Sequence, residues 1–146
     1  KFTTTSPTIF TSKGQLEQAV NLWISDESAA KSTYGDINTW DTSRITDMNL
    51  LFNNKTSFNS DISSWDTSSV LQMQNTFMNN PVFNNGQSSG VSNTLQWDTS
   101  SVTRMDNICD GATAFNANVT GWVVSNVTQI NQMFRLATSF NQDITS

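Results

Sequence analysis

Histidine is absent from this sequence of 146 residues, and cysteine occurs once, at Cys109. Without imidazole the chain lacks the commonest general base and the commonest metal ligand, and neither a Ser-His-Asp nor a Cys-His nucleophile can be assembled. A lone cysteine excludes an internal disulfide and a thiolate zinc cluster. Charge is scarce as well: seven Lys plus Arg against twelve Asp plus Glu leave a net charge of −5. No basic stripe is available for a phosphate backbone, so nucleic acid is not an expected partner. No apolar run approaches the roughly 18 residues of a membrane span, and insertion of this segment into a bilayer is not expected. The Gly-containing stretch "GQSSGVS" has no Lys and no Ser/Thr at the spacing of a phosphate loop. The chain reads as non-catalytic.

What it has instead is Ser, Thr and Asn in abundance, together with five Trp and nine Phe. A polar, weakly charged chain with that many aromatics can bury enough surface to fold. The aromatics are periodic. Trp40 to Trp65 is 25 residues, Trp65 to Trp97 is 32, and Trp97 to Trp122 is again 25. Phe58, Phe83, Phe115 and Phe140 repeat the same three intervals. Two aromatic series sharing one anomaly define a 25-residue repeat with seven residues inserted in its second copy. The insertion falls in "NNGQSSGVSN", about residues 85–92, a Gly- and Ser-rich stretch that reads as a surface loop.

Within each repeat, Ile45, Val70, Val102 and Val127 stand five residues after the Trp, and Met48, Met73, Met105 and Ile130 stand eight after it. Phe52, Phe77, Cys109 and Phe134 stand twelve after. Those offsets share one face of a helix. Ser43, Ser68, Ser100 and Ser125 precede that face and read as N-caps. A short helix, a turn and an extended piece such as "FNSDISSW" are therefore expected in each repeat. Asn59, Asn84, Asn116 and Asn141 follow the repeat Phe and suit an internal asparagine ladder. Cys109, in a Phe column, reads as a buried, inert thiol.

Three segments are expected: an extended N-terminal stretch over 1–11, an amphipathic capping helix over 12–33, and repeats over 34–146. Ser12 and Gln15 have capping-box spacing, and Leu16, Ala19, Val20, Trp23 and Ile24 share a face. Lys1 opens the sequence, so any secretion signal is expected upstream of it. "FNQDITS" at the other end starts a fifth repeat and stops before its Trp. An uncapped last repeat is expected to be covered by further repeats or by head-to-tail association with another chain.

Few residues suggest chemistry. Asp41, Asp66 and Asp98 form one carboxylate column, and Asp36, Asp61 and Asp143 a second. The first column is a candidate for calcium bridging between repeats, since Ca²⁺ takes carboxylate and carbonyl oxygens in flexible geometry. The competing reading is turn and helix-start chemistry at each Asp. Thr42, Thr67 and Thr99 resemble an ice-binding column but stand beside Ser at a helix start, where capping explains them better. Asn54, Asn118 and Asn126 lie in Asn-x-Ser/Thr glycosylation sequons.

"WDTSSVTRM", "INQMFRLATSFNQDI" and "FNSDISSWDTSSV" resemble the BspA-like leucine-rich-repeat surface proteins, over about residues 34–146. The fourth repeat departs from the pattern, with Val123 and Val124 in place of Asp and Thr. The resemblance and the periodicity together imply an α/β fold: a right-handed leucine-rich-repeat-like solenoid with a short strand and a short helix per coil. The resemblance implies an extracellular or cell-surface setting and adhesion to protein or glycan. The alternative is a structural repeat unit of a larger extracellular assembly or filament. It implies no catalytic residues and no cofactor.

Overall fold

Ser12 has extended backbone, and its hydroxyl accepts the Gln15 N–H, while the Gln15 side chain reaches back to the N–H and hydroxyl of Thr11. This cap starts α1, Lys13–Ser25, in a computed structural model that describes residues 6–145. Residues 1–5 of the expected N-terminal segment, and Ser146, lie outside the described residues. α1 buries Leu16, Ala19, Val20 and Trp23, the apolar face expected from three- and four-residue spacing. The helix expected over 12–33 is instead two. Asp26 leaves the helical region, closes α1 through its N–H on the Leu22 carbonyl, and caps α2, Glu27–Tyr34, by accepting the Ala29 N–H. Gly35, at φ +81°, closes α2, a backbone that residues with a Cβ rarely adopt. A single 3-10 turn, Ile37–Thr39, then delivers the chain to Trp40.

From Trp40 onward the expected architecture is not found. Among the described residues no repeat contains a helix, and the only paired strands are two residues each: β1, Asn93–Thr94, parallel to β2, Ala117–Asn118. The remainder is turns, bends and loops. The leucine-rich-repeat-like α/β solenoid, with a strand and a helix in every coil, is therefore set aside.

The physical reason lies in the segments that carry helix spacing. The N–H groups of Leu51, Asn53 and Lys55 bond the carbonyls of Met48, Leu50 and Phe52, three residues back. The alternate N–H groups, from Met48, Leu50, Phe52 and Asn54, leave the repeat and bond Gln72, Gln74, Thr76 and Met78 at 2.9–3.2 Å. An α-helix would send every one of them four residues back. Positive φ recurs at Leu50, Asn54, Asn75, Asn79 and Asn107, between 53° and 62°. That left-handed backbone suits the third position of a tight turn, and Asn adopts it more readily than most residues with a Cβ. Chained turns with three-residue closure bring positions three apart to one side, as a helix does. Ile45, Met48, Leu51 and Phe52 are accordingly all buried.

The same row recurs twice more. Met73, Asn75, Phe77 and Asn79 donate to Arg104, Asp106, Ile108 and Asp110, and Met105, Asn107, Cys109 and Gly111 donate to Gln129, Asn131, Met133 and Arg135. Isolated parallel bridges run Asp47–Gln72–Arg104–Gln129 through these rows.

Three side-chain ladders reinforce the backbone. Asn59 Oδ1 accepts the Asn84 N–H at 2.7 Å, Asn84 Oδ1 accepts that of Asn116 at 2.8 Å, and Asn116 Oδ1 that of Asn141 at 2.8 Å. The expected asparagine ladder is present. The Trp65, Trp97 and Trp122 indoles donate to the carbonyls of Ile37, Ile62 and Leu95 in the preceding segment. Thr42, Thr67 and Thr99 are buried and donate to the carbonyls of Asp66, Asp98 and Val123 in the next repeat. These threonines neither cap helices nor face water.

The core between the ladders is aromatic. Phe58–Phe83, Phe83–Phe115 and Phe115–Phe140 stack at 6.0–6.1 Å. Within repeats, Phe52–Phe58, Phe77–Phe83 and Phe134–Phe140 stack at 4.0–4.3 Å. Each such pair is worth about 0.5–1.5 kcal/mol beyond its buried area. Cys109 takes the place of the inner Phe in the third repeat and is fully buried, which pushes its thiol far above the ordinary value.

Two outcomes follow for stability. Thr67→Val keeps the shape but strands the Asp98 carbonyl, so urea unfolding should show a loss of about 1–3 kcal/mol. Cys109→Ser buries a poorly partnered hydroxyl and should cost about 1–3 kcal/mol, while thiol reagents leave the folded wild-type chain unlabelled. Rapid labelling of the native protein would contradict this burial.

Candidate functional site

The calcium candidates are committed locally. Asp41 Oδ1 accepts both the N–H and the hydroxyl of Ser43, and Asp66 Oδ1 does the same with Ser68. Asp98 Oδ1 accepts the Ser100 N–H. Each is a side-chain-closed turn in which Asp is the acceptor and Ser the donor, so the expected serine N-caps are corrected along with the missing helices. The second column behaves alike: Asp36 accepts from Asn38, Asp61 from Ser63 and Asp143 from Thr145. Asn118 occupies that column in the third repeat and accepts from Thr120. Among the described residues no group of three or more acidic or cysteine side chains could hold a metal ion. This donor set does not fit calcium.

The sequons differ in setting. Asn54 is exposed on a left-handed turn, and Asn126 is exposed but donates to the Ser100 carbonyl. Asn118 is half-buried in β2, with its oxygen held by the Thr of its own sequon.

The inserted loop lies on the surface but is anchored. Asn84 Nδ2 donates to the Ser88 and Val91 carbonyls, Asn116 Nδ2 to that of Gly90, and Asn59 Nδ2 to that of Gln87. The asparagine ladder thus holds the insertion against the stack.

Two surfaces remain. The first is the outer side of the turn rows, where Asp47, Gln72, Arg104 and Gln129 align, flanked by half-buried Asn49, buried Gln74 and Asp106, and exposed Asn131. Burial raises the Asp106 carboxyl, but bonds from Asn131 and the Arg104 guanidinium outweigh it and hold it below the ordinary range. The Arg135 guanidinium grips Asp110 Oδ2 through Nε at 3.0 Å and Nη2 at 2.7 Å. Asp110 Oδ1 is buried with no partner. Arg135 and Asp110 are 25 residues apart, one repeat period, and that coincidence of opposite charges is the signal that could have found them. The second surface is an apolar groove of about 210 Å³ on the fourth repeat, formed chiefly by Val119, Trp122, Val124, Ile130, Phe134 and Ile144.

The family described as "Mycoplasma protein of unknown function, DUF285" matches residues 23–145. The chain belongs to this family. The DUF285 match begins at Trp23, which packs edge-on against Trp40, and runs through all four repeats. No curated protein and no solved structure matches the chain.

The Asp turns make acid stability a direct test. In Asp41, Asp98 and Asp143 the hydroxyl and then the N–H of Ser43, Ser100 and Thr145 hold the carboxyl below its ordinary 3.8. A lowered folded value means that the stabilisation is fully present above the unfolded value and is lost as pH falls through the folded one. Acid unfolding followed by tryptophan fluorescence should therefore steepen only below about pH 3.8. Asp98→Asn should flatten its share of that loss, and an unchanged acid limb would contradict the turn assignment.

Proposed function

We propose that this chain is a non-catalytic extracellular or cell-surface repeat module that binds protein or glycan, as its resemblance to BspA-like surface proteins implies. The observation supporting this reading is the outer side of the turn rows. There the backbone ladder fixes amide, carboxylate and guanidinium groups at one position in each successive repeat. Neighbouring strands in such ladders lie about 4.8 Å apart. Asn and Gln amides both donate and accept, so a row of them matches the mixed hydroxyls of a sugar or the exposed backbone of a protein. The paired charges of Arg104 with Asp106 and Arg135 with Asp110 add fixed orientation without a strong net field.

An array of glycans and extracellular-matrix proteins tests the reading. Retention by one of these classes is expected, with affinity falling about tenfold in the double variant Gln72→Ala, Gln129→Ala, whose side chains are exposed. Binding that survives the double variant would move the ligand off this surface, and an array with no retention at all would overturn the function.

A further inference from the structure

Each repeat adds one rung to the outer side of the turn rows, and two columns of side chains run across the rungs. The first column is Thr46, Leu71, Thr103 and Thr128, all exposed. The second is Asp47, Gln72, Arg104 and Gln129. Backbone pairing fixes the rungs: the N–H groups of Leu71, Thr103 and Thr128 bond the carbonyls of Thr46, Leu71 and Thr103 at 2.8–2.9 Å. The Thr103 and Thr128 hydroxyls donate to the Leu71 and Thr103 carbonyls at 3.1 Å, which leaves their oxygens as acceptors. Beside these columns Asn107 Nδ2 donates to Asn75 Oδ1 at 3.1 Å, and Asn75 Nδ2 to Asn49 Oδ1 at 3.4 Å. This second asparagine ladder holds the neighbouring turns in step. The surface is a regular polar track.

Spacing decides what can lie along it. Rungs of a hydrogen-bonded ladder recur about every 4.8 Å. An extended polypeptide presents the same side only about every 6.6 Å, and so slips by roughly a whole rung over three steps. An extended chain of β-1,4-linked pyranoses advances by about one rung per sugar and stays in register. Chemistry agrees with spacing. Gln72 and Gln129 both donate and accept, Arg104 donates and Asp47 accepts, which suits hydroxyls that do both. Two polar atoms on the second and third rungs have no partner, the acceptor Gln74 Oε1 and the donor Arg104 Nε. The Arg104 side chain is 43% exposed and held by one contact of 3.4 Å to Asp106, so its rotation brings Nε to a ligand. Leu71, 46% exposed in the threonine column, offers an apolar spot for the C–H face of a ring. Charge argues against an anionic chain: the protein carries −5, and Arg104 is the one cation of the two columns.

We propose that this track holds a linear, uncharged β-1,4-linked polysaccharide lying along the stack, one sugar to each rung. The inference rests on the preceding reading, in which the outer side of the turn rows is the binding surface, and narrows its ligand from protein or glycan to this class. Each sugar meets the same two columns, so its contacts repeat as the protein does. Affinity therefore accumulates along the chain instead of residing in one pocket.

The probes are β-1,4-linked oligomers of glucose, of mannose and of N-acetylglucosamine, each from two to four sugars. Maltotetraose, whose α-1,4-linked chain coils away from a row, is the comparison. Titrated into the ¹⁵N-labelled 146-residue chain, the tetramer of at least one β-linked series should shift the amides of residues 47, 72, 104 and 129 together. Its affinity should rise about fivefold with each added sugar. Maltotetraose should bind no better than the β-linked dimer. Gln72→Ala, at an exposed side chain, should weaken the tetramer about fivefold without moving the thermal transition. Equal affinity for dimer and tetramer in every series, equal affinity for maltotetraose, or no β-linked binding at about 10 mM overturns the proposal. Retention on a protein or a branched glycan that depends on Gln72 and Gln129 would, in those cases, leave the binding surface standing and remove only this ligand. Retention by nothing on the array would overturn both.

Discussion

The fold depends on backbone N–H groups that alternate between two destinations, one within the turn and one in the next repeat. Turn closure alone would leave half of the donors in each row unmet. Bonding to the next repeat alone would leave the chain without the sharp reversals that bring Ile45, Met48, Leu51 and Phe52 to one side. Because both are needed, each repeat is incomplete without its neighbour. Regular secondary structure is then unnecessary: buried N–H and C=O groups are satisfied by turns and by the adjoining repeat. The first row has no repeat before it and is covered by α1, with Trp23 packed edge-on against Trp40.

This constraint explains the composition. A stack of turns has many backbone groups that no ladder reaches, and short polar side chains reach them instead. Buried Thr42, Thr67 and Thr99 each serve a carbonyl of the next repeat, while Asn84 and Asn116 accept N–H groups of the next repeat and donate to carbonyls of the insertion. Burying such groups would be costly if they were unpaired. Paired, they fix the register between repeats, and the stacked phenylalanines supply the apolar interior that makes the burial worthwhile. Charge stays low as well, since neutral Ser, Thr and Asn side chains make most of these bonds and the carboxylates at turns sit beside Ser or Thr donors.

Much of this was legible in the sequence at the level of columns. The aromatic period, the position of the insertion, the buried face, the asparagine ladder and the burial of Cys109 all follow from residue spacing. Conformation was not legible, because spacings of three and four fit chained turns as well as a helix. The deciding residues are the asparagines at 54, 75, 79 and 107, which a helix disfavours and a left-handed turn position accepts. Asp26, a good cap in the middle of the expected first helix, was a similar sign that one helix was two. The charge pairing was harder to see, because the Arg135–Asp110 pair appears only when residues one period apart are compared.

The central claim is that alternate N–H groups bond across repeats, and scalar couplings through hydrogen bonds report the partner of each amide directly. In a chain labelled with ¹⁵N and ¹³C, the amide of Asn75 should couple to the carbonyl of Asp106, and the amide of Phe77 to that of Ile108. Coupling of Asn75 to the carbonyl of Leu71, four residues back, would show a helix in that row and contradict the account.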